Sequence, residues 1–113
     1  MSQPRLQPAA AARIYRILAH LAAIEGQIGA PERAALGEWR VRLGLDADAA
    51  GALEGGGRDE DLRVGDDPRE HEVLVEGMID VATADGQLSP EERAALRRFG
   101  RQVGLFDEAL GAL

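Results

Sequence analysis

The side chains that could do chemistry in this 113-residue chain are almost all carboxylates. All 13 basic residues are Arg, and there is no Lys, Asn or Cys. A cysteine nucleophile, a Schiff-base lysine, a disulfide framework and a thiolate-ligated zinc or iron–sulfur site are therefore excluded. The hydroxyls are Ser2, Tyr15, Thr83 and Ser89, and no histidine stands near Ser89 in sequence. The Gly55–Gly57 run lacks the Lys-Ser/Thr that completes a phosphate loop. This inventory argues against an enzyme. It leaves 20 acidic residues and a net charge of -7. Residues 1–57 balance six Arg with six acids, whereas residues 58–113 carry seven Arg against fourteen acids. Such a surface repels nucleic acid and suits a cation or a basic partner, although a solvated acidic face is the simpler reading.

Within the acidic half, one turn has the spacing of a cation site. In Ala84-Asp85-Gly86-Gln87-Leu88-Ser89-Pro90-Glu91-Glu92, a glycine is followed six residues later by Glu92, as in a calcium-binding EF-hand loop. Asp85 then falls at loop position 5, Leu88 at position 8 and Ser89 at position 9. Position 1 would be Val81, which offers no side-chain oxygen, so this is not a working EF-hand. A sparser site remains as an expectation: Asp85 and Glu92, joined by Asp80 one turn earlier, with water completing the shell of a hard cation such as Ca²⁺. The same residues are also explained without metal. Asp-Gly is a common turn pair, and Glu92 is three residues beyond Ser89, the spacing of a capping box.

The elements that must position this turn come from a duplication. Ala22–Leu53 and Ala82–Leu113 match without gaps at an offset of 60 residues. Gly26-Gln27 repeats as Gly86-Gln87, the run Glu32–Leu36 as Glu92–Leu96, Gly44-Leu45 as Gly104-Leu105, and Trp39 aligns with Phe99. Each half reads as helix, tight turn, helix, glycine cap and short helix. Ile14, Leu18 and Leu21 form the buried stripe of the first helix, and Leu36, Trp39 and Leu43 that of the second. The counterparts are Leu74, Met78 and Val81, then Leu96, Phe99 and Val103. Asp67-Pro68 supplies an N-cap and an N1 proline. A last short helix begins at Asp107. His20 aligns with Asp80, a weak hint of a shared polar position, and Tyr15 is expected to cover the edge of the core.

We therefore expect an all-α fold: a duplicated helical hairpin bundle with four main helices and two short ones. Residues 1–8 are read as a flexible lead and 9–113 as one domain. Its half-repeats, 9–54 and 67–113, are joined by an acidic, Gly-rich linker over 55–66. With Arg13 and Arg16 inside the N-terminal apolar run, no signal peptide is expected and the chain is read as cytoplasmic.

The turn and the helix after it resemble the TerB-like family, which comprises the tellurite-resistance TerB proteins and the N-terminal domain of the DjlA co-chaperones. The resemblance rests on Ala82-Thr83-Ala84-Asp85-Gly86, Leu88, Glu92 and Val103-Gly104-Leu105. It covers Glu72–Leu113 and extends loosely over Ile14–Leu53. It implies a helical fold, a stress-response or adaptor role, and acidic turns that hold a divalent cation, with Asp85 and Glu92 at the matching positions. In the first half Glu25 replaces the Asp, and Gly29 stands where Ser89 stands. The alternative is a helical adaptor with an acidic surface and no metal, engaging an unidentified protein partner. A weaker alternative is membrane association through the N-terminal helix with Arg5, Arg13 and Arg16.

Overall fold

The computed structural model describes residues 6–24, 26, 28–54 and 62–103. They form five helices: α1 (Pro8–Ala22), α2 (Ala30–Arg42), α3 (Ala47–Glu54), α4 (Pro68–Ala82) and α5 (Pro90–Gln102). No strand occurs among the described residues. The four main helices and one of the two short ones are thus present. The second short helix, expected from Asp107, lies outside the described residues, as do residues 1–5 of the lead read over 1–8 and 55–61 of the linker read over 55–66; at the end of the lead Leu6 packs against the core and Pro8 already begins α1.

The duplication is visible in the backbone. Helices α1 and α4 both have 15 residues, α2 and α5 both have 13, and every bound shifts by 60. Each inter-helix turn closes on a glycine in the left-handed region, Gly26 at φ +117° and Gly86 at φ +82°. A side chain there would be strained. After α2, Gly44 (φ +75°) ends the helix. Its N–H donates to Val41 O and the N–H of Leu45 donates to Arg40 O, the paired bonds of a Schellman cap.

Helix α1 is the centre of the bundle. Nine of its fifteen residues are buried, so it meets neighbours on more than one side. It packs most extensively on α4 and also touches α2 and α3. The expected stripes line this core: Ile14, Leu18, Leu21, Leu36, Trp39, Leu74, Met78, Val81, Leu96 and Phe99 are all buried, with Leu43 and Val103 packed against them. At Gly77 the two long helices approach so closely that a Cβ would stand 2.9 Å from Leu18 Cδ1.

The last part of the segment read as linker is held in place. Leu62 is buried in the core and Val64 packs against it. The N–H of Val64 donates to Gln102 Oε1, and that of Gly65 donates to Glu70 Oε2 at 2.8 Å. We refer to residues 62–66 as the strap.

Candidate functional site

The three carboxylates expected to converge are each engaged locally or across the bundle. Ser89 caps α5: its Oγ accepts from the N–H of Glu92 at 3.1 Å, and Glu92 Oε1 accepts from the N–H of Ser89 at 3.0 Å. The capping box is complete, and it holds Glu92 buried at 5 % exposure. Asp85 is exposed, and its Oδ1 accepts from the N–H of Gln87 at 2.9 Å, closing the turn that follows Gly86. Asp80 has a task that its sequence position does not reveal. Its Oδ2 accepts from Trp39 Nε1 at 3.0 Å, which gives the buried indole N–H of α2 its acceptor on α4. Among the described residues, no group of three or more histidine or carboxylate side chains is placed to hold a metal ion. As a calcium donor set, Asp80, Asp85 and Glu92 do not gather.

The Trp39–Asp80 bond has a partner across the repeat. Asp80 aligns with His20 and Trp39 with Phe99 at the 60-residue offset, and His20 meets Phe99 edge-on, with ring centroids 6.3 Å apart. The second helix of each half therefore places its aromatic against the first helix of the other half. The pairs differ in chemistry: the indole has a donor to satisfy and meets a carboxylate, whereas the phenyl has none and meets an imidazole. Burial lowers the pKa of that imidazole, and Arg98 lowers it further.

Two further polar clusters tie helices together, one across the halves and one within the first half. Glu70 is only 1 % exposed, yet it is fully partnered. Arg13 of α1 grips it with Nε at 2.9 Å and Nη2 at 2.7 Å, and the strap adds the Gly65 N–H. A buried carboxylate is tolerated only with such compensation. The bonds from Arg13 hold the Glu70 pKa below the ordinary value against the opposing effect of burial. Gly65 is required here, because a Cβ would collide with the Glu70 carboxylate and stand 2.8 Å from Arg13 Nη2. His71 Nε2 lies within hydrogen-bond distance of Gly65 O, fastening the strap a second time. In the other cluster, Tyr15 donates to Glu54 Oε2 at 2.8 Å and Arg33 pairs with Glu54 Oε1 at 2.7 Å, tying α3 to α1 and α2. Burial, followed by the Glu54 bond, pushes the Tyr15 pKa up to about 12.

Sequence reasoning gives no role to Glu70, although its register does carry a signal. Glu70 precedes Leu74 by four residues, which puts it on the buried face of α4.

A groove of about 560 Å³ opens where the start of α1, the end of α2 and the start of α4 meet. Its wall includes Trp39, Val41, Leu45 and Val73 with Arg42 and Arg69, and among the described residues it contains no carboxylate, histidine or hydroxyl. Arg42 is stacked over the Trp39 ring at 3.9 Å and reaches Glu76 at 3.2 Å. Val41 is 66 % exposed.

The described residues thus form a helical bundle of two matched hairpins, tied together by half-buried polar pairs and without a gathered donor set. The model of the family described as tellurite resistance protein TerB matches residues 60–113. Over those residues, just under half of the chain, the sequence is similar to that family, in agreement with the turn and cap geometry found there. No curated protein matches the chain, and no solved structure matches it.

Proposed function

We propose that the chain is a non-catalytic TerB-like module of the stress-response or adaptor kind that acts by binding a protein partner. The observation that carries this reading is the groove at α1, α2 and α4. Among the described residues its wall combines apolar side chains with two arginines and holds no nucleophile, general base or carboxylate. A surface of that composition suits recognition of a polypeptide rather than turnover of a small molecule. The internal engagement of Asp80 and Glu92 supports it further, because two of the three expected cation ligands already serve the fold.

The second reading, a divalent cation in the manner implied by the family resemblance, rests on Asp85, which is exposed at the tip of the matching turn. Calcium titration of the full chain separates the two. The partner-binding reading expects no heat in calorimetry and no change in melting temperature at millimolar calcium. A saturable heat with a raised melting temperature, both lost in Asp85→Ala, would overturn it in favour of the cation. No helix among the described residues is long and apolar enough to cross a membrane. We place the module in the cytoplasm on the basis of its sequence.

A further inference from the structure

The repeat gives the groove a counterpart whose cover is visible. At the 60-residue offset, the groove residues Ala11, Arg42 and Val73 correspond to His71, Gln102 and Arg13. These three side chains all meet the strap. Gln102 takes the Val64 N–H, His71 meets Gly65 O, and Arg13 Nη2 would stand 2.8 Å from a Cβ on Gly65. The strap therefore lies over the surface equivalent to the groove. The same offset carries residues 62–66 onto Ser2-Gln3-Pro4-Arg5-Leu6. Leu6 stands in the groove wall, so residues 2–5 are tethered at the groove.

The differences between the two surfaces come in matched pairs. Val64 donates to Gln102, whereas Pro4 has no N–H and Arg42 has no acceptor, so both ends of that bond change together. Gly65 is confined by the Glu70 carboxylate, whereas Arg5 needs side-chain room and Ala10, at the position of Glu70, leaves it. The apolar anchor also changes ends. In the strap Leu62 is buried and Asp66 is exposed. The lead has Ser2 at the first of these positions and Leu6, packed against the core, at the last.

We propose that residues 2–5 of this chain lie along the groove as a second strap, in the register that brings Pro4 to Arg42 and Arg5 to Ala10. This goes beyond the partner-binding reading and stands without it. The polar fastenings that Glu70 and His71 give Gly65 have no counterpart at Ala10 and Ala11, so the lead is the looser of the two covers. A partner segment reaches the groove by displacing it.

The test uses the full chain, whose lack of Cys makes an engineered disulfide unambiguous. Pro4→Cys/Arg42→Cys should close an intramolecular disulfide about tenfold faster than Pro4→Cys/Asp66→Cys, in which the second thiol sits at an exposed position on the opposite side of the start of α1. Equal rates, as from an undocked lead, overturn the proposal. So does faster closure to position 66, or a disulfide formed only between chains, because the occupant would then be a second copy. A double-mutant cycle checks the register. Pro4→Val and Arg42→Gln together rebuild the Val64–Gln102 pair in the first half. The melting temperature of the double variant should exceed the sum of the single changes by about 2–4 °C. Loss of the Arg42 contacts to Trp39 and Glu76 enters both legs of the cycle and cancels. Additive changes overturn the proposal. Neither readout involves a partner or calcium, so failure here is distinguishable from failure of the partner-binding reading.

Discussion

The two halves share one backbone plan but terminate their helices differently. In the second half both long helices are capped by side chains, α4 by Asp67, whose Oδ1 accepts from the Arg69 N–H, and α5 by the Ser89–Glu92 box. In the first half the cap positions are Gln7 and Gly29, and neither makes a side-chain cap bond. The first half gains its order elsewhere: α1 is the most buried helix, and Tyr15 and Arg33 clasp α3 through Glu54. Side-chain caps thus open both long helices of the second half, whereas those of the first half begin without them. Turn and cap residues can be read from neighbours in sequence, whereas packing partners cannot.

This contrast can be broken by substitution, beginning with the contact that joins the halves. Arg13→Ala strips the buried Glu70 of both guanidinium bonds and should cost about 2–3 kcal/mol in urea unfolding, somewhat reduced by the partial exposure of Arg13. The same variant changes the response to acid. In the wild type the Glu70 pKa is lowered on folding, so its stabilisation is present above the ordinary carboxylate value and is lost as pH falls through the lowered one. Arg13→Ala should lose that acid-side decline, as measured by melting temperature between neutral and low pH. Next is the crossed aromatic pair. Asp80→Ala leaves the indole N–H of Trp39 buried without its acceptor and should cost about 1–2 kcal/mol, with a change in tryptophan emission. Asp80→Asn retains an acceptor and should recover most of that loss. Within the second half, Ser89→Ala removes half of the capping box and should cost about 1 kcal/mol. The smallest effect is a gain in the first half. Gly29→Ser places a capping hydroxyl three residues before Glu32, copying the α5 box, and should stabilise by a few tenths of a kcal/mol, about 0.3. The new Cβ would stand 2.6 Å from Glu32 Oε2, the end of a flexible side chain that can move. If Gly29→Ser instead destabilised the chain, the equivalence of the two helix starts would be wrong.

Much of the fold is open to reading because it is written at short range. Leu74, Met78 and Val81 declare one face of α4 by their spacing, and Ser89-Pro90-Glu91-Glu92 declares the start of α5. Both readings agree with the structure. The partners of the polar side chains are not open to reading in the same way. Proximity in the chain puts Asp80 beside Asp85, yet its partner is Trp39, 41 residues away. Arg13 and Glu70 are separated by 57 residues. Nothing within one helix turn of either residue indicates the pairing, which comes from how α1 lies against α4. The strap is misread for a related reason. A polar, glycine-containing run reads as linker, but two apolar residues, Leu62 and Val64, are enough to fasten its end to the bundle.

The crossing of the aromatics between halves also bears on the order in which the molecule is completed during synthesis. When α1 and α2 leave the ribosome, the groups that satisfy them do not yet exist. The indole of Trp39 waits for Asp80, and the guanidinium of Arg13 waits for Glu70. Closing such long loops is entropically costly until both ends are present. The nascent first half therefore lacks both of these partners until α4 has emerged, although α1, α2 and α3 can already meet through Tyr15, Arg33 and Glu54. A chain stalled shortly after residue 54 should thus be cut by protease more readily in α1 than one stalled well beyond residue 82, where α4 can cover it.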